Sequence, residues 1–222
     1  MNDPMSSHDT TRDTADADET RLTRLACLDW AVAGRPLPGE ERSGDLAACI
    51  PAGDGALLVA IDGLGHGAEA ALAAEIARDT ISAHGSEPLT TLLRLCHVAL
   101  ARTRGAAVTL ARVQCGAGLL RWVGVGNVET YLLRRTDGAQ PAVAASAVLF
   151  GGTVGYRLPT VRDSAVELRP GDLVIMATDG LGPDLLAAVA PGQPVDRIAS
   201  AIVADHARAT DDALVAVARV RE

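Results

Sequence analysis

Leu57–Gly67, LLVAIDGLGHG, runs through five apolar residues and then stops at a carboxylate, Asp62, followed by glycine at alternate positions, Gly63, Gly65 and Gly67. An apolar run of that length, closed by glycines, reads as a buried strand that ends in a site. Glycine lets backbone approach a ligand without an intervening Cβ, and Asp62 offers hard anionic oxygen of the kind Mg²⁺ or Mn²⁺ takes. Asp-Gly is also a common hairpin connector. The chain carries its own comparison, because Asp54-Gly55 and Asp137-Gly138 each lie between two strand-like runs, where a hairpin is the natural reading. Asp62 is different, because the chain continues from it into a helix.

At 222 residues, with 48% apolar and 22% charged residues, the chain has the balance of one globular domain with a sizeable core. Every one of its 20 basic residues is arginine. The formal charge of −8 is uneven, since Asp3, Asp9, Asp13, Asp16, Asp18 and Glu19 face only Arg12 in residues 1–20. That segment lacks apolar periodicity and reads as a disordered acidic tail, leaving residues 21–222 as the domain. No basic cluster suits phosphate backbones, so nucleic acid is not expected. The tail lacks the apolar core of a signal peptide, and the longest uncharged run, Gly138–Tyr156, is broken by glycine, proline and serine. A cytoplasmic protein with no membrane segment, acting as a monomer, is expected. Cys27, Cys49, Cys96 and Cys115 show no CxxC spacing and read as reduced thiols in apolar segments.

Strand patterns cover Leu25–Ala33 and Asp45–Ile50 ahead of the Leu57 run. After the glycines, Ala73, Ile76, Ala77 and Ile81 form one stripe and Glu75, Arg78, Asp79 and Ser82 the opposite one, an amphipathic helix. Pro88 opens a second helix with a seam of Leu89, Leu92, Leu93, Cys96 and Leu100. The period then becomes two through Ala106–Val113, Gly118–Val125 and Val128–Arg134, which read as an antiparallel meander. Gly138–Arg157 reads as loop with a short strand. Ser164–Leu168 and Leu173–Ala177 precede a second strand-to-site junction, LVIMATDGLG, with Asp179 as its carboxylate. A short helix from Asp184, a longer one from Val195 to about Arg208 and a strand at Leu214–Val220 complete an α+β pattern of antiparallel sheets covered by helices.

Asp62 and Asp179 leave the C-terminal ends of apolar strands, whereas Asp211 and Asp212 immediately precede one. If the last strand runs antiparallel to the other two, the three ends meet at one sheet edge. Three carboxylates around two divalent ions leave positions for water, which loses a proton near neutral pH and can attack a phosphate ester. Asp45, in ERSGD, starts a strand beside this edge and could act through water.

SGD at 43–45, AIDGLGHG at 60–67, RGAAVTL at 104–110, VGVGNVE at 123–129, GDLVIMATDGL at 171–181 and TDDALVAV at 210–217 resemble, in order and spacing, the motifs of metal-dependent PP2C-type (PPM) protein phosphatases, most of all the bacterial SpoIIE-like branch. The resemblance runs from about residue 25 to the C-terminus. It implies an antiparallel β-sandwich flanked by helices on both faces. It implies two ions, Mn²⁺ or Mg²⁺, with Asp62 bridging both, the Gly63 carbonyl on one, Asp179 and Asp211 on the other, and Asp45 acting through water. The implied substrates are phosphoserine and phosphothreonine on STAS-domain proteins of a stressosome or anti-sigma module in bacterial stress signalling.

Leu64 stands where many eukaryotic relatives place a histidine directly after the bridging Asp-Gly; His66 either substitutes as general acid or caps the following helix. Arg102 stands where several relatives keep an aspartate for a third ion. Arg42 reads as a solvated surface arginine, Asn127 and Gly126 as turn formers, and Asp212 as a support behind the ligands. A dinucleotide-binding GxGxxG fails at Ala68, and the DxGxG of a GHKL kinase fails at Leu64. The remaining rival is a catalytically degenerate phosphatase fold that binds partners as a scaffold. Three retained aspartates weigh against it, because a carboxylate cluster without metal repels itself.

Overall fold

The computed structural model describes residues 21–24, 27–135 and 140–221. The acidic tail and the Asp137-Gly138 turn lie outside the described residues. The strands are β1 (Arg21–Arg24), β2 (Leu28–Arg35), β3 (Asp45–Ala52), β4 (Gly55–Gly63), β5 (Ala106–Gln114), β6 (Leu119–Val125), β7 (Glu129–Arg134), β8 (Ala142–Ser146), β9 (Leu149–Phe150), β10 (Ser164–Glu167), β11 (Leu173–Ala177) and β12 (Ala213–Val220). The helices are α1 (Gly67–Ala83), α2 (Leu89–Ala99) and α3 (Val195–His206), with one 3₁₀ turn at Leu185–Ala188.

Two sheets face each other, one ordered β1-β2-β12-β11-β7-β8 and the other β10-β6-β5-β4-β3, with β9 pairing β6. Between them lies a core that includes Trp30, Leu58, Trp122, Val174 and Leu214. Helices α1 and α2 cover the outer face of the second sheet and α3 that of the first, giving the expected four-layer α+β sandwich. This layering explains the uninterrupted apolar runs. In β4, Ala56, Leu58 and Ala60 face the inter-sheet core while Leu57, Val59 and Ile61 face α1 and α2, so both sides of the strand are buried. In β12 the same alternation sends Leu214, Ala216 and Ala218 inward and Val215 and Val217 toward α3.

The helices are held by packing rather than by their ends. None of the three N-cap residues, His66, Pro88 and Pro194, makes a side-chain capping bond. Such a bond is worth about 1 kcal/mol. By contrast, α2 buries Leu89, Leu92 and Leu93, each contributing roughly 1.5–3 kcal/mol.

Several local expectations are corrected. The strand expected over Leu25–Ala33 is β2, which begins at Leu28 and continues to Arg35, and an unexpected strand, β1, precedes it and pairs with it antiparallel, Arg24 opposite Asp29. The turn joining β3 to β4 is Gly53-Asp54 rather than Asp54-Gly55, since Ala52 pairs with Gly55. The meander breaks after β6. β7 crosses to the other sheet to pair with β11, and β6 takes β10 instead. Alternation of apolar residues marks β7 as a strand but carries no information about its partner. Cys27 and Cys115 form a disulfide, contrary to the expectation of four reduced thiols, whereas Cys49 and Cys96 are free. Cys27 precedes β2 and Cys115 follows β5, so the bond ties the two sheets together, and 88 residues of separation hid the pairing. No helix among the described residues is long and apolar enough to cross a membrane.

Candidate active site

Two Asp-Gly pairs end strands at the same pole of the sandwich, and the glycines are there because backbone passes close by. A Cβ on Gly63 would lie 2.2 Å from the Ala70 carbonyl oxygen, so α1 could not seat against the end of β4. A Cβ on Gly180 would lie 1.7 Å from the Asp212 carbonyl oxygen, blocking the entry to β12. Each glycine therefore brings a neighbouring segment in beside the aspartate before it.

Register does the rest. β11 and β12 are antiparallel, with Ala177 opposite Val215, so Asp179 just past one strand and Asp211 just before the other share an end. β3 and β4 are antiparallel with Asp45 opposite Asp62. The carboxylates thus meet at a mouth between two sheets rather than along one sheet edge, which corrects the simpler picture drawn from the sequence. Their mutual repulsion is strong enough to register. Burial, with Asp179 and Asp211 adding to it and an Asn127 hydrogen bond opposing, pushes the Asp62 carboxyl up to about 7. Burial first, then Asp62, raises Asp45, and burial, Asp179 and Asp212 raise Asp211. None of the five aspartates 45, 62, 179, 211 and 212 is in an ion pair with arginine among the described residues.

Burial divides the five into two groups. Asp212 is 3% exposed and accepts the Leu37 amide on Oδ1 and the Gly44 amide on Oδ2, both at 2.7 Å. It fastens the 36–44 loop across the mouth, a supporting part as expected. Asp45, 7% exposed, accepts the Thr178 hydroxyl at 2.7 Å, which ties it to the residue before Asp179. Asp62, Asp179 and Asp211 keep their outer sides open to solvent.

Asn127 is more than a turn former: its Nδ2 donates to Asp179 Oδ2 at 2.6 Å, between Asp179 and Asp62. Its position at the end of β6, in VGVGN, was the available signal. His66 occupies the N-cap position of α1 without using its side chain as a cap. Instead its Nδ1 lies 2.6 Å from Glu40 Oε1, and the ring is near enough to Asp211 to favour that carboxylate. Nothing in the sequence marked Glu40, which reaches His66 only because Asp212 pins the loop that carries it. Arg42 pairs with Glu75 on the surface, as expected of a solvated arginine. Arg102 is exposed in the turn after α2.

Among the described residues, no three His, Cys, Asp or Glu side chains stand close enough together to hold a metal ion as they are oriented. Asp179 is turned toward Asn127 and Asp45 toward Thr178. The donor chemistry nevertheless fits a hard divalent cation, being all oxygen, anionic and self-repelling.

Comparison with solved structures agrees with this architecture. A chain solved in a study of the bacterial stressosome, as a modular system adapted to control secondary messenger signaling, is 29% identical, with a TM-score of 0.77 over 86% of this chain and 99% of that one. RsbX in complex with magnesium is 20% identical, with a TM-score of 0.78 over 91% of this chain and 100% of that one. The catalytic domain of the serine/threonine phosphatase PstP with two manganese ions is 21% identical, with a TM-score of 0.68 over 88% and 99%. A sequence search of curated proteins finds no match. The fold is that of the PP2C-type (PPM) phosphatases. Within that class the chain belongs to the family of Stage II sporulation protein E (SpoIIE), whose model matches residues 52–221.

Proposed function

We propose that this chain is an active, metal-dependent protein serine/threonine phosphatase. The observation that carries the proposal is the convergence of Asp62, Asp179 and Asp211, from three separate segments, close enough to raise one another's pKa, with no arginine in an ion pair with any of them among the described residues. Asp62, the Gly63 carbonyl, Asp179 and Asp211 would hold two Mn²⁺ or Mg²⁺ ions, with Asp45 contributing through water. When bound, such ions supply positive charge for the phosphoryl oxygens and make water acidic enough to serve as nucleophile. The chain's own residues then position and protonate. Asn127 holds the Asp179 carboxylate, Thr178 holds Asp45, and Asp212 holds the loop that closes one side. His66, braced by Glu40, delivers a proton to the departing serine or threonine oxygen.

That role for His66 predicts a dependence on the leaving group. His66→Gln should slow hydrolysis of a phosphoserine peptide by about 10²-fold, the scale of a general acid. p-Nitrophenyl phosphate, whose leaving group departs without a proton, should be nearly unaffected. Glu40→Gln should show the same split more weakly. Equal losses on both substrates would assign His66 to structure instead.

The substrates we propose are phosphorylated STAS-domain proteins of a stressosome or anti-sigma module, met by a monomer in the cytoplasm; support comes from the likeness to RsbX and to the stressosome chain. In that compartment cellular thiols would act on the Cys27–Cys115 bond. Incubation of the purified protein with phosphorylated STAS partners from the same genome, with Mn²⁺ and with a chelator, is the direct test. Metal-dependent phosphate release is expected. Stable binding without release under either condition would favour the scaffold.

A further inference from the structure

At the pole of the sandwich opposite the aspartates the two sheets are covalently joined. Cys27 stands just before β2, whose other end pairs with the start of β12 beside Asp212. Cys115 stands just after β5, whose other end pairs with Gly63. Both cysteines are half-buried against the core between the sheets, so their sulfurs are open to a small thiol. Cys49 and Cys96 differ: burial pushes both thiols up to about 12. Thiol–disulfide exchange is carried out by thiolate, so neither of them competes for the bond near neutral pH.

Asp54, in the turn between β3 and β4, reaches both ends of the bond. Its carboxylate accepts the amide of Gly116, next to Cys115, and its carbonyl oxygen lies 3.3 Å from Cys27 Sγ. A sulfur within a disulfide has no proton to donate to that carbonyl, whereas a reduced Cys27 thiol has one. Each cysteine is also held through its own backbone. The Cys27 carbonyl accepts the Arg221 amide at 2.9 Å, just past β12, and the Cys115 carbonyl accepts the Gly118 amide at 3.1 Å. None of these contacts requires the sulfurs to be bonded, so the reduced protein keeps them as neighbours.

We propose that the Cys27–Cys115 bond is a reversible redox clamp on the sandwich, opened by a thiol reductant and re-formed in place because Asp54 keeps the two cysteines side by side. In opening, a reductant thiolate attacks one sulfur and a second reductant thiol completes the exchange. Two reductant thiols become one disulfide, while the protein gains two electrons and two protons. Oxidised glutathione reverses the step. The bond spans 88 residues of chain, and its loss gives the unfolded state back the freedom that the closed loop removes. The sheets stay packed on their shared core, so the clamp governs how stable the fold is rather than the chemistry at the mouth.

The test places the full chain in buffers of reduced and oxidised glutathione and reads free thiols by alkylation and mass spectrometry, with thermal melts in parallel. Under reduction without denaturant, Cys27 and Cys115 should become alkylated far faster than Cys49 and Cys96. The Tm should fall by about 10 °C and recover when oxidised glutathione is restored. Cys27→Ala with Cys115→Ala should melt like the reduced protein and ignore glutathione. Asp54→Ala should move the glutathione ratio at which the bond is half-formed by about fivefold or more toward oxidising conditions, the scale of one lost hydrogen bond to a charged group, with an unchanged far-UV spectrum. Cys27 and Cys115 alkylated in the oxidised protein, a bond that opens only in denaturant, or a Tm indifferent to reduction would overturn the clamp. An Asp54→Ala midpoint equal to that of the unaltered protein would overturn the part given to Asp54.

Discussion

Asp62→Asn is expected to abolish Mn²⁺-dependent hydrolysis of p-nitrophenyl phosphate, with a loss of about 10³-fold or more, and Asp179→Asn to do the same. The size reflects the group removed: a preorganised charge in a site built to balance charge in the transition state, where single groups are worth about 10²–10³-fold or more. Asparagine keeps the shape of each side chain and removes only its ionic charge. The fold should therefore persist, with an unchanged far-UV spectrum. Asp62 sits at the end of β4 beside α1, and its neighbours in the core are unaltered by the change. Retention of activity in both variants would remove the proposed chemistry, because no other open carboxylate at the mouth could take over for both.

The second large effect runs in the opposite direction, toward stability. In metal-free buffer the Asp62 carboxyl sits at about 7 against an ordinary value of 3.8, because of burial and then the charges of Asp179 and Asp211. Between those two values the folded protein holds a proton that the unfolded chain has released. Stability is therefore greatest below the lower value, declines as the pH rises toward the upper one, and is flat above it. Asparagine carries no such cost. The gain from Asp62→Asn should be small at pH 4 and full at pH 8. Each pKa unit corresponds to about 1.4 kcal/mol, and because the carboxyl is partly open to solvent we expect a gain of about 2 kcal/mol, or ~4–8 °C in Tm. Thermal melts in chelator at the two pH values test it. A gain at pH 4 equal to that at pH 8 would mean that electrostatics is not its source. Activity and metal-free stability should thus move in opposite directions on the same substitution, as expected of a cluster whose repulsion a cation is there to relieve.

Much of the site is legible along the chain because the signals are local. An apolar run that stops at Asp-Gly and continues into a helix or loop shows itself within about ten residues, and two such runs supply Asp62 and Asp179. The order of motifs around them carried the family. What was misjudged depended on partners distant in sequence. The partner of β7 could not be read from its own alternation, and Cys27 gives no hint of Cys115, because a disulfide is chosen by where two strand ends meet. Asn127 looked like a turn residue because its amide finds Asp179 only when β6 ends beside β11.

By itself, then, the sequence determined the kinds of element, the burial of the run that becomes β4, and which acids stand at the ends of β4, β11 and β12, all of which come from hydrophobic period and from the glycines that punctuate it. Tertiary structure alone decided that the acids meet between two sheets rather than on one, and that Asp212 ties down the loop bringing Glu40 to His66. The division has one physical cause. Burial acts residue by residue and leaves its mark on composition, whereas charge and hydrogen bonding act over a few ångströms between groups that the chain brings together only after the sheets have paired.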